Sequence, residues 1–287
     1  MRLGFLASGK LGYEVLNRFV HDYKPVFIAT DSSSQNIVKL AGDSDIPLFK
    51  GNPRKGNLLA FLETHAIQAD LVLSINYLFL IESDLIRRFP HIVNFHGSLL
   101  PKYRGRTPHV WAIINGEMKT GVTAHLIDEG CDTGDIVLQN EVPVQAEDTG
   151  ADILQKFENL YPDMVSGVIE KFSTQNVELR KQDNSKATFF GKRTPADGLI
   201  DWNWQKDRIR NWVRAQAAPY PGAFSWYQEK KIVIDKVDDS DLGFNQDDPN
   251  GLILETSPVP VIKCPNGAIK LMSIREGISL KKNDVLK

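Results

Sequence analysis

The start of the chain combines two short apolar runs with one stretch of helical spacing. Residues 3–7 and 25–29 are apolar runs typical of buried strands, and residues 11–19 place Leu11, Val15, Leu16 and Phe19 on one helix face. A strand, a helix and a strand in this order predict two parallel strands joined by a right-handed crossover. The chain is therefore predicted to open with a βαβ unit.

The same alternation continues to residue 172. Thr107 can cap a helix that has Pro108 at its first position. Residues 151–172 are predicted to form a long helix with an apolar stripe. Further short helices are predicted at residues 35–40, 57–64 and 83–88. Further strands are predicted at residues 69–75, 91–93, 121–126 and 136–139. This order predicts an α/β fold, with a Rossmann-like, mostly parallel sheet and flanking helices.

The remainder of the chain has a different pattern. A polar linker at 173–186 is followed by a connecting helix around 209–213. Short apolar strands separated by turn residues are predicted at 224–227, 231–234, 251–254, 259–262 and 268–272. This spacing is typical of a small barrel or sandwich. We therefore predict a catalytic domain at 1–186, and a linker helix with a small C-terminal, mainly β domain at 187–287.

Several candidate reactive side chains lie close together in residues 94–108, whose sequence is NFHGSLLPKYRGRTP. Asn94 and His96 are two residues apart, so on a strand their side chains share one face. Ligands of open α/β sheets bind at the carboxyl ends of strands, which makes this a plausible reaction centre. The alternative is a polar loop in which Asn94 and His96 only bond their own backbone.

A second segment, near Asp132, combines with residues 94–101 into a longer motif, and the longer motif is more specific than either segment alone. The spacing of N-x-H-x-S-L-L-P, followed thirty-six residues after His96 by the Asp of a D-x-G turn, resembles the signature of the folate-dependent formyltransferases. Residues 190–198 and 219–224 are similar to the linker and second domain of that family, which is OB-like in its larger members. The resemblance covers nearly the whole chain.

The resemblance implies N10-formyltetrahydrofolate as the formyl donor. In formyl transfer, Asn94 would stabilise the oxyanion, His96 would manage the proton lost by the amine, and Asp132 would orient the imidazole. The family's donor-binding positions fall on Phe79, Leu80, Ile81, Arg106, Asp128, Glu129, Gly130, Cys131 and Asp132, and the substrate-binding positions on Ser8, Lys10, Ser98 and Tyr220. Phe79, Leu80 and Ile81 could instead be core residues around a helix start.

Several other patterns in the sequence have more than one interpretation. Gly4 through Lys10 fits G-x-x-x-x-G-K, but Leu11 stands where a P-loop needs Ser or Thr. The acids around Asp132 could suggest a metal, but their glycine turns favour backbone caps, so no metal is predicted. His125 could line the pocket or be a satisfied core histidine.

Bulk properties narrow the class of protein. The 287 residues carry a net charge of −2 and two cysteines, Cys131 and Cys264, which gives no general attraction to polyanions and no disulfide framework. No signal peptide and no long apolar run are visible, so we expect a cytoplasmic protein with no membrane partner.

Family members formylate methionyl-tRNA, glycinamide ribonucleotide or the amine of a nucleotide-linked sugar. Glycinamide ribonucleotide enzymes lack the second domain, and this chain lacks the early basic insertion of the tRNA enzymes. The R-T-P-H-x-W version at 106–111 resembles the sugar N-formyltransferases. We therefore expect a nucleotide-linked aminodeoxysugar, such as a dTDP-linked 3- or 4-amino-dideoxyhexose for surface polysaccharide, and no nucleic acid. Methionyl-tRNA formylation is the alternative, and a homodimer is carried over as the family's common state.

Overall fold

The structure, a computed structural model, describes all 287 residues. The chain forms two compact units. The first unit consists of Met1–Gly105, Gly121–Val142 and Lys156–Phe189, and the second of Arg106–Thr120, Pro143–Gln155 and Phe190–Lys287. The predicted domain boundary at residue 186 stays a prediction.

The chain up to residue 173 contains eight strands and six helices. The strands are β1 (Leu3–Ala7), β2 (Phe27–Thr30), β3 (Leu48–Lys50), β4 (Leu71–Ile75), β5 (Ile92–His96), β6 (Arg104–Gly105), β7 (Lys119–Leu126) and β8 (Ile136–Pro143). The helices are α1 (Gly9–Tyr23), α2 (Gln35–Asp43), α3 (Asn57–Thr64), α4 (Ser83–Arg88), α5 (Pro108–Ile114) and α6 (Gly150–Ser173). The remaining elements are β9 (Phe189–Phe190), α7 (Lys206–Ala215), β10 (Ala223–Tyr227), β11 (Lys230–Ser240), β12 (Ile253–Glu255), β13 (Val261–Cys264) and β14 (Gly267–Ile274).

One seven-stranded sheet has the order β3-β2-β1-β4-β5-β7-β8. The strands from β3 to β5 are parallel, and β7 runs antiparallel to β5. The two central strands, β1 and β4, are buried along their whole length, which explains why they are apolar without alternation. The predicted Rossmann-like, mostly parallel sheet is confirmed.

A compact apolar cluster covers one part of this sheet. Phe27 of β2 stacks on Phe89, with ring centroids 5.8 Å apart, and Leu58 and Leu62 of α3 are completely buried beside them. Burying each such side chain contributes roughly 1.5–3 kcal/mol. This packing holds α3 against the sheet.

Several predicted boundaries differ from the structure. Helix α1 begins at Gly9, two residues before the predicted helical stretch at 11–19. Thr107 precedes α5 but does not cap it, because its backbone is left-handed (φ 50°) and its side chain makes no cap bond. Strand β3 was not predicted, since its three residues are too few to show a period. Strand β5 continues through His96 instead of ending before Asn94.

The second unit contains a five-stranded antiparallel sheet with the order β10-β11-β14-β13-β12. Ile209, Trp212 and Val213 of α7 are buried in this unit. This confirms the predicted small β domain with a preceding helix. Separately, none of the helices in the chain is long and apolar enough to cross a membrane.

Candidate active site

Three polar side chains occupy matching positions on neighbouring strands of the first unit. Asn94 of β5 pairs in register with Ser74 of β4 and with His125 of β7. The Ser74 hydroxyl donates to Asn94 Oδ1 at 3.0 Å, and Asn94 Nδ2 lies 3.3 Å from His125 Nε2. The amide of Asn94 is thus fixed from both sides, and its second N–H is not used by either contact.

His96 is 6% exposed. Its Nε2 lies 2.8 Å from the carbonyl oxygen of Tyr103, and because a carbonyl only accepts, Nε2 carries the proton. Its other nitrogen, Nδ1, lies 3.6 Å from Asp132 Oδ2. Burial lowers the pKa of His96 and outweighs the opposing charge of Asp132. His96 is therefore a neutral imidazole whose Nδ1 can take up a proton.

Asp132 lies on the turn between β7 and β8 with a left-handed backbone, φ 54°. Its Oδ2 accepts the Gly105 N–H at 2.9 Å, and its Oδ1 lies 3.5 Å from His125 Nε2. Burial by itself raises the pKa of Asp132, but His125, His96 and the Gly105 N–H together outweigh it, so the pKa is held well below its usual range. The carboxylate is ionised at neutral pH.

His125 combines both roles considered for it from the sequence. It is 3% exposed, and its Nδ1–H donates to the carbonyl oxygen of Leu126 at 2.8 Å, as expected of a satisfied core histidine. Its Nε2, however, contacts Asn94 and Asp132. His125 is therefore part of the wall of the site.

The other donor-binding residues predicted near Asp132 form a turn. Asp128 Oδ1 accepts from the Gly130 N–H at 3.1 Å and from the Thr133 hydroxyl at 2.6 Å, which is the backbone-capping role expected of these acids. Glu129 is exposed, and the exposed Cys131 thiol lies 3.6 Å from Asp132 Oδ2. No group of three or more His, Cys, Asp or Glu residues is arranged to hold a metal ion.

A second polar region lies at the carboxyl ends of β1 and β4, where the strand order reverses direction. Asn76 Nδ2 donates to the carbonyl oxygen of Ser8 at 3.0 Å. The Ser8 hydroxyl is completely buried and has no hydrogen-bond partner. Lys10, on the first turn of α1, pairs with Glu158 at 3.0 Å and stays mostly exposed. Reversals of this kind are where doubly wound sheets bind ligands.

The turn after β4 contains Phe79, Leu80 and Ile81, three of the residues predicted to bind the folate donor. Leu80 is 63% exposed, and Phe79 and Ile81 are half-buried, so Leu80 is not a core residue. The backbone N–H and C=O groups of residues 78–81 form no hydrogen bond with other backbone groups. Polar backbone groups left in this state are satisfied by water or by a ligand.

The remaining predicted positions have differing surroundings. Ser98 is completely buried and its hydroxyl donates to the Lys102 carbonyl oxygen at 2.7 Å, so its side chain supports a loop, and its role in substrate binding stays a prediction. In the second unit, Arg106 is exposed, and the Tyr220 hydroxyl lies 3.0 Å from His109 Nε2. Burial lowers the pKa of His109 to about 4.

Two residues that hold this site together were not predicted from the sequence. Ser74 supports Asn94, and Gln182 donates to the carbonyl oxygens of Asp132 and Gly134 at 2.9 and 2.7 Å. Ser74 was visible only as a polar residue inside an apolar strand, which is a usable signal. Gln182 lay in the stretch interpreted as a polar linker, and no local pattern distinguishes it.

Known structures share this fold. WlaRD, a sugar 3N-formyl transferase solved in the presence of dTDP and 5-N-formyl-THF, matches with a TM-score of 0.71 and 20% identity, over 95% of this chain and 98% of its own. The N-formyltransferase from Helicobacter canadensis in complex with folinic acid and dTDP-3-aminofucose matches with a TM-score of 0.71 and 19% identity, over 94% and 98%. Methionyl-tRNA formyltransferase from Clostridium thermocellum matches with a TM-score of 0.59 and 19% identity, over 83% and 93%.

The sequence itself matches two domain families. Residues 50–169 match the formyl transferase domain, and residues 192–283 match the formyl transferase C-terminal domain. Together these matches cover well over half of the chain, in the order in which the two domains follow each other here. The chain belongs to the formyl transferase family.

Proposed function

We propose that this protein transfers a formyl group from N10-formyltetrahydrofolate to the amine of a nucleotide-linked aminodeoxysugar. The observation that carries the proposal is the meeting of Asn94, His96 and Asp132 at one end of the first unit's sheet, with His96 Nδ1 3.6 Å from the Asp132 carboxylate. These three side chains supply an oxyanion donor, a neutral base and an ionised carboxylate, which are the groups that acyl transfer to an amine requires.

The chain's own residues can manage the proton of the reaction. When the amine attacks the formyl carbon, its nitrogen becomes acidic and the formyl oxygen becomes negative. Asn94 can donate its unused N–H to that oxygen, and the loss of one such donor typically costs about 3–4 kcal/mol of barrier. His96 can take the amine proton at Nδ1, where the negative charge of Asp132 stabilises the resulting imidazolium. As the tetrahedral centre collapses, the bond between the formyl carbon and N10 breaks, and His96 can return the proton to N10, which leaves as tetrahydrofolate.

The turn after β4 supports a folate donor. A pterin presents several donors and acceptors along one edge, and residues 78–81 offer backbone N–H and C=O groups that the chain leaves unbonded. The exposed Leu80 and the half-buried Phe79 and Ile81 add apolar surface beside these groups. Two relatives of the same fold are described with 5-N-formyl-THF or folinic acid, which supports the same donor class here.

The charge of the chain and the ligands of its structural relatives both favour a nucleotide-linked sugar over tRNA as the acceptor. A protein that grips tRNA needs several phosphate contacts from clustered lysines and arginines. This chain has a net charge of −2, and its stretch 31–45 contains one lysine against three aspartates. The relatives described with dTDP or with dTDP-3-aminofucose match over 94–95% of the chain, and the methionyl-tRNA enzyme over 83%.

Donor binding can be tested by calorimetry with a stable folate analogue in a buffer containing EDTA. The proposal predicts saturable binding, because the contacts come from backbone groups and side chains of the chain. Replacing Leu80 by Asp should weaken binding by placing a charge beside the turn, and Leu242→Asp, at an exposed leucine outside the turn, controls for the charge itself. Binding that appears only when a divalent ion is added contradicts the proposal.

Acceptor choice can be tested with a panel of nucleotide-linked aminosugars. The protein is incubated with N10-formyltetrahydrofolate and each sugar, and mass spectrometry detects a product heavier by one formyl group. The panel should vary the nucleotide and the position of the amine, C3 or C4, because the sequence does not choose between them. Formation of no formylated sugar by a protein that binds the folate analogue rejects the acceptor class. Dimer formation and cytoplasmic location stay predictions.

A further inference from the structure

The segment that follows α6 returns to the candidate active site. Gln182 is half-buried, and its side-chain amide donates to the carbonyl oxygens of Asp132, at 2.9 Å, and Gly134, at 2.7 Å. An amide has two N–H groups, so both are used on the turn that carries Asp132. Gln182 therefore holds two carbonyl groups of that turn, two residues apart, on either side of Thr133.

The orientation of Gln182 is fixed from its other side by Arg104. Arg104 is 2% exposed, and its Nε and Nη2 donate to Gln182 Oε1 at 3.2 and 2.7 Å. Because a guanidinium only donates, the oxygen of the Gln182 amide must face Arg104 and the nitrogen must face the turn. Arg104 is in turn held by Asn184 Oδ1 at 2.8 Å.

The same segment also contacts the loop residue whose carbonyl group bonds to His96. The Tyr103 N–H donates to Thr188 Oγ1 at 2.8 Å, and the Arg104 N–H donates to the Thr188 carbonyl oxygen at 2.8 Å. The carbonyl oxygen of Tyr103 is the group that accepts from His96 Nε2. Thr188 therefore fixes the peptide that sets the ring position of His96.

We propose that Gln182 and Thr188, both in residues 182–188 (the return segment), are positioning residues for the catalytic pair: Gln182 holds Asp132, and Thr188 holds His96 through Tyr103. This inference rests on the catalytic roles proposed above. Asp132 needs such support because its backbone is left-handed, a conformation that is strained at a residue other than glycine and persists only where the surrounding structure holds it. A turn released from Gln182 can relax, and displacement of a catalytic group by about 1 Å can cost roughly a hundredfold in rate.

Gln182→Glu tests the role of Gln182. The glutamate keeps the length of the side chain and an acceptor for Arg104, but it faces the two carbonyl oxygens with oxygen in place of N–H. If Gln182 only fills space and pairs with Arg104, this variant keeps its activity. If it positions Asp132, kcat falls by about tenfold to a hundredfold, while KM for both substrates changes by less than about threefold.

Thr188→Val tests the second contact, because it keeps the shape of the side chain and the backbone carbonyl but removes the acceptor for the Tyr103 N–H. We expect a fall in kcat of about tenfold, again with little change in KM. Ser185→Ala is the matched control, since the Ser185 hydroxyl bonds to Asp183 within the segment. It should behave like the wild type. Wild-type kcat in both Gln182→Glu and Thr188→Val overturns the inference.

A readout that needs no acceptor separates this inference from the proposed function. The histidine rings are followed by NMR during a pH titration of the wild type and of Gln182→Met, which removes both donors without adding charge. Movement of Asp132 away from His96 removes a negative charge from its vicinity, so the pKa of His96 should fall in the variant. If the wild type formylates no sugar, this shift still reports on the return segment. An unchanged His96 titration contradicts the positioning role, even where the sugar reaction is confirmed.

Discussion

The two imidazoles beside Asp132 differ in which ring nitrogen is bonded to a backbone carbonyl and which faces the site. His96 uses Nε2 on the Tyr103 carbonyl and leaves Nδ1 towards Asp132, whereas His125 uses Nδ1 on the Leu126 carbonyl and leaves Nε2 towards Asn94 and Asp132. One carboxylate thus serves two rings, and only His96 belongs to the sequence signature. At the scale of single residues, backbone carbonyls decide which ring atom can act.

Removing any member of the catalytic set should lower turnover far more than it weakens substrate binding. His96→Asn, Asn94→Ala and Asp132→Ala should each lower kcat by at least about a hundredfold, because each group acts on the transition state. In double and triple variants, the increase in the activation free energy should be smaller than the sum of the increases for the single variants, because the three residues act as a unit. Turnover, folate affinity and melting temperature are measured for each.

His65→Asn is the matched control, because His65 is exposed and outside the site. It should keep wild-type turnover. The rival account, in which Asn94 and His96 only cap their loop, predicts that the melting temperature falls together with the activity. Near-normal turnover in His96→Asn ends the proposed mechanism.

The pH dependence of turnover follows from the pKa of His96. The base must be unprotonated, so activity is lost as the pH falls through that pKa. Because burial places the pKa below 6.5, the midpoint of the acid limb of kcat should lie below pH 6.5. Asp132→Asn removes a charge that raises this pKa, so the residual activity should show an acid limb at still lower pH. A midpoint above 6.5 in the wild type, or an upward shift in Asp132→Asn, contradicts this assignment.

At the scale of elements, the turn between β7 and β8 connects strand pairing to the position of Asp132. A Cβ added at Gly134 would lie 1.9 Å from the carbonyl oxygen of Leu126, which is backbone and cannot yield easily. Gly134→Ala should therefore displace the turn, with kcat falling by about tenfold or more. Gly277→Ala, where an added Cβ meets nothing within 4 Å, is the matched control. Equal kcat values for the two variants contradict the role given to the turn.

Which parts of this arrangement could be predicted depended on whether the signal was local. The apolar runs of β1 and β4 and the shared strand face of Asn94 and His96 were visible in the sequence, and the structure contains both. The contact between Ser74, Asn94 and His125 depends on the register of three strands, which no single segment records. Gln182 could not be predicted because a side chain reaching back fifty residues leaves no periodic trace.

At the scale of the whole molecule, charge separates the two candidate acceptors. Nucleic-acid binding that depends on phosphate contacts weakens steeply with salt, and a chain with net charge −2 has little excess of such contacts to offer. We therefore expect no useful affinity for methionyl-tRNA at about physiological salt. Fluorescence anisotropy of labelled tRNA, repeated at low salt, measures this. Tight binding that survives the higher salt would reverse the ranking of the two acceptors.

A competition between the two acceptors tests the central claim most directly. The protein is given N10-formyltetrahydrofolate, a dTDP-linked aminosugar accepted in the panel and methionyl-tRNA at equal concentrations, in EDTA and at physiological salt, with His96→Asn run in parallel. The account predicts that the wild type forms the formylated sugar and leaves the methionyl-tRNA unformylated, and that His96→Asn forms neither product at a comparable rate. Predominant formylmethionyl-tRNA, or undiminished formylated sugar from His96→Asn, contradicts it.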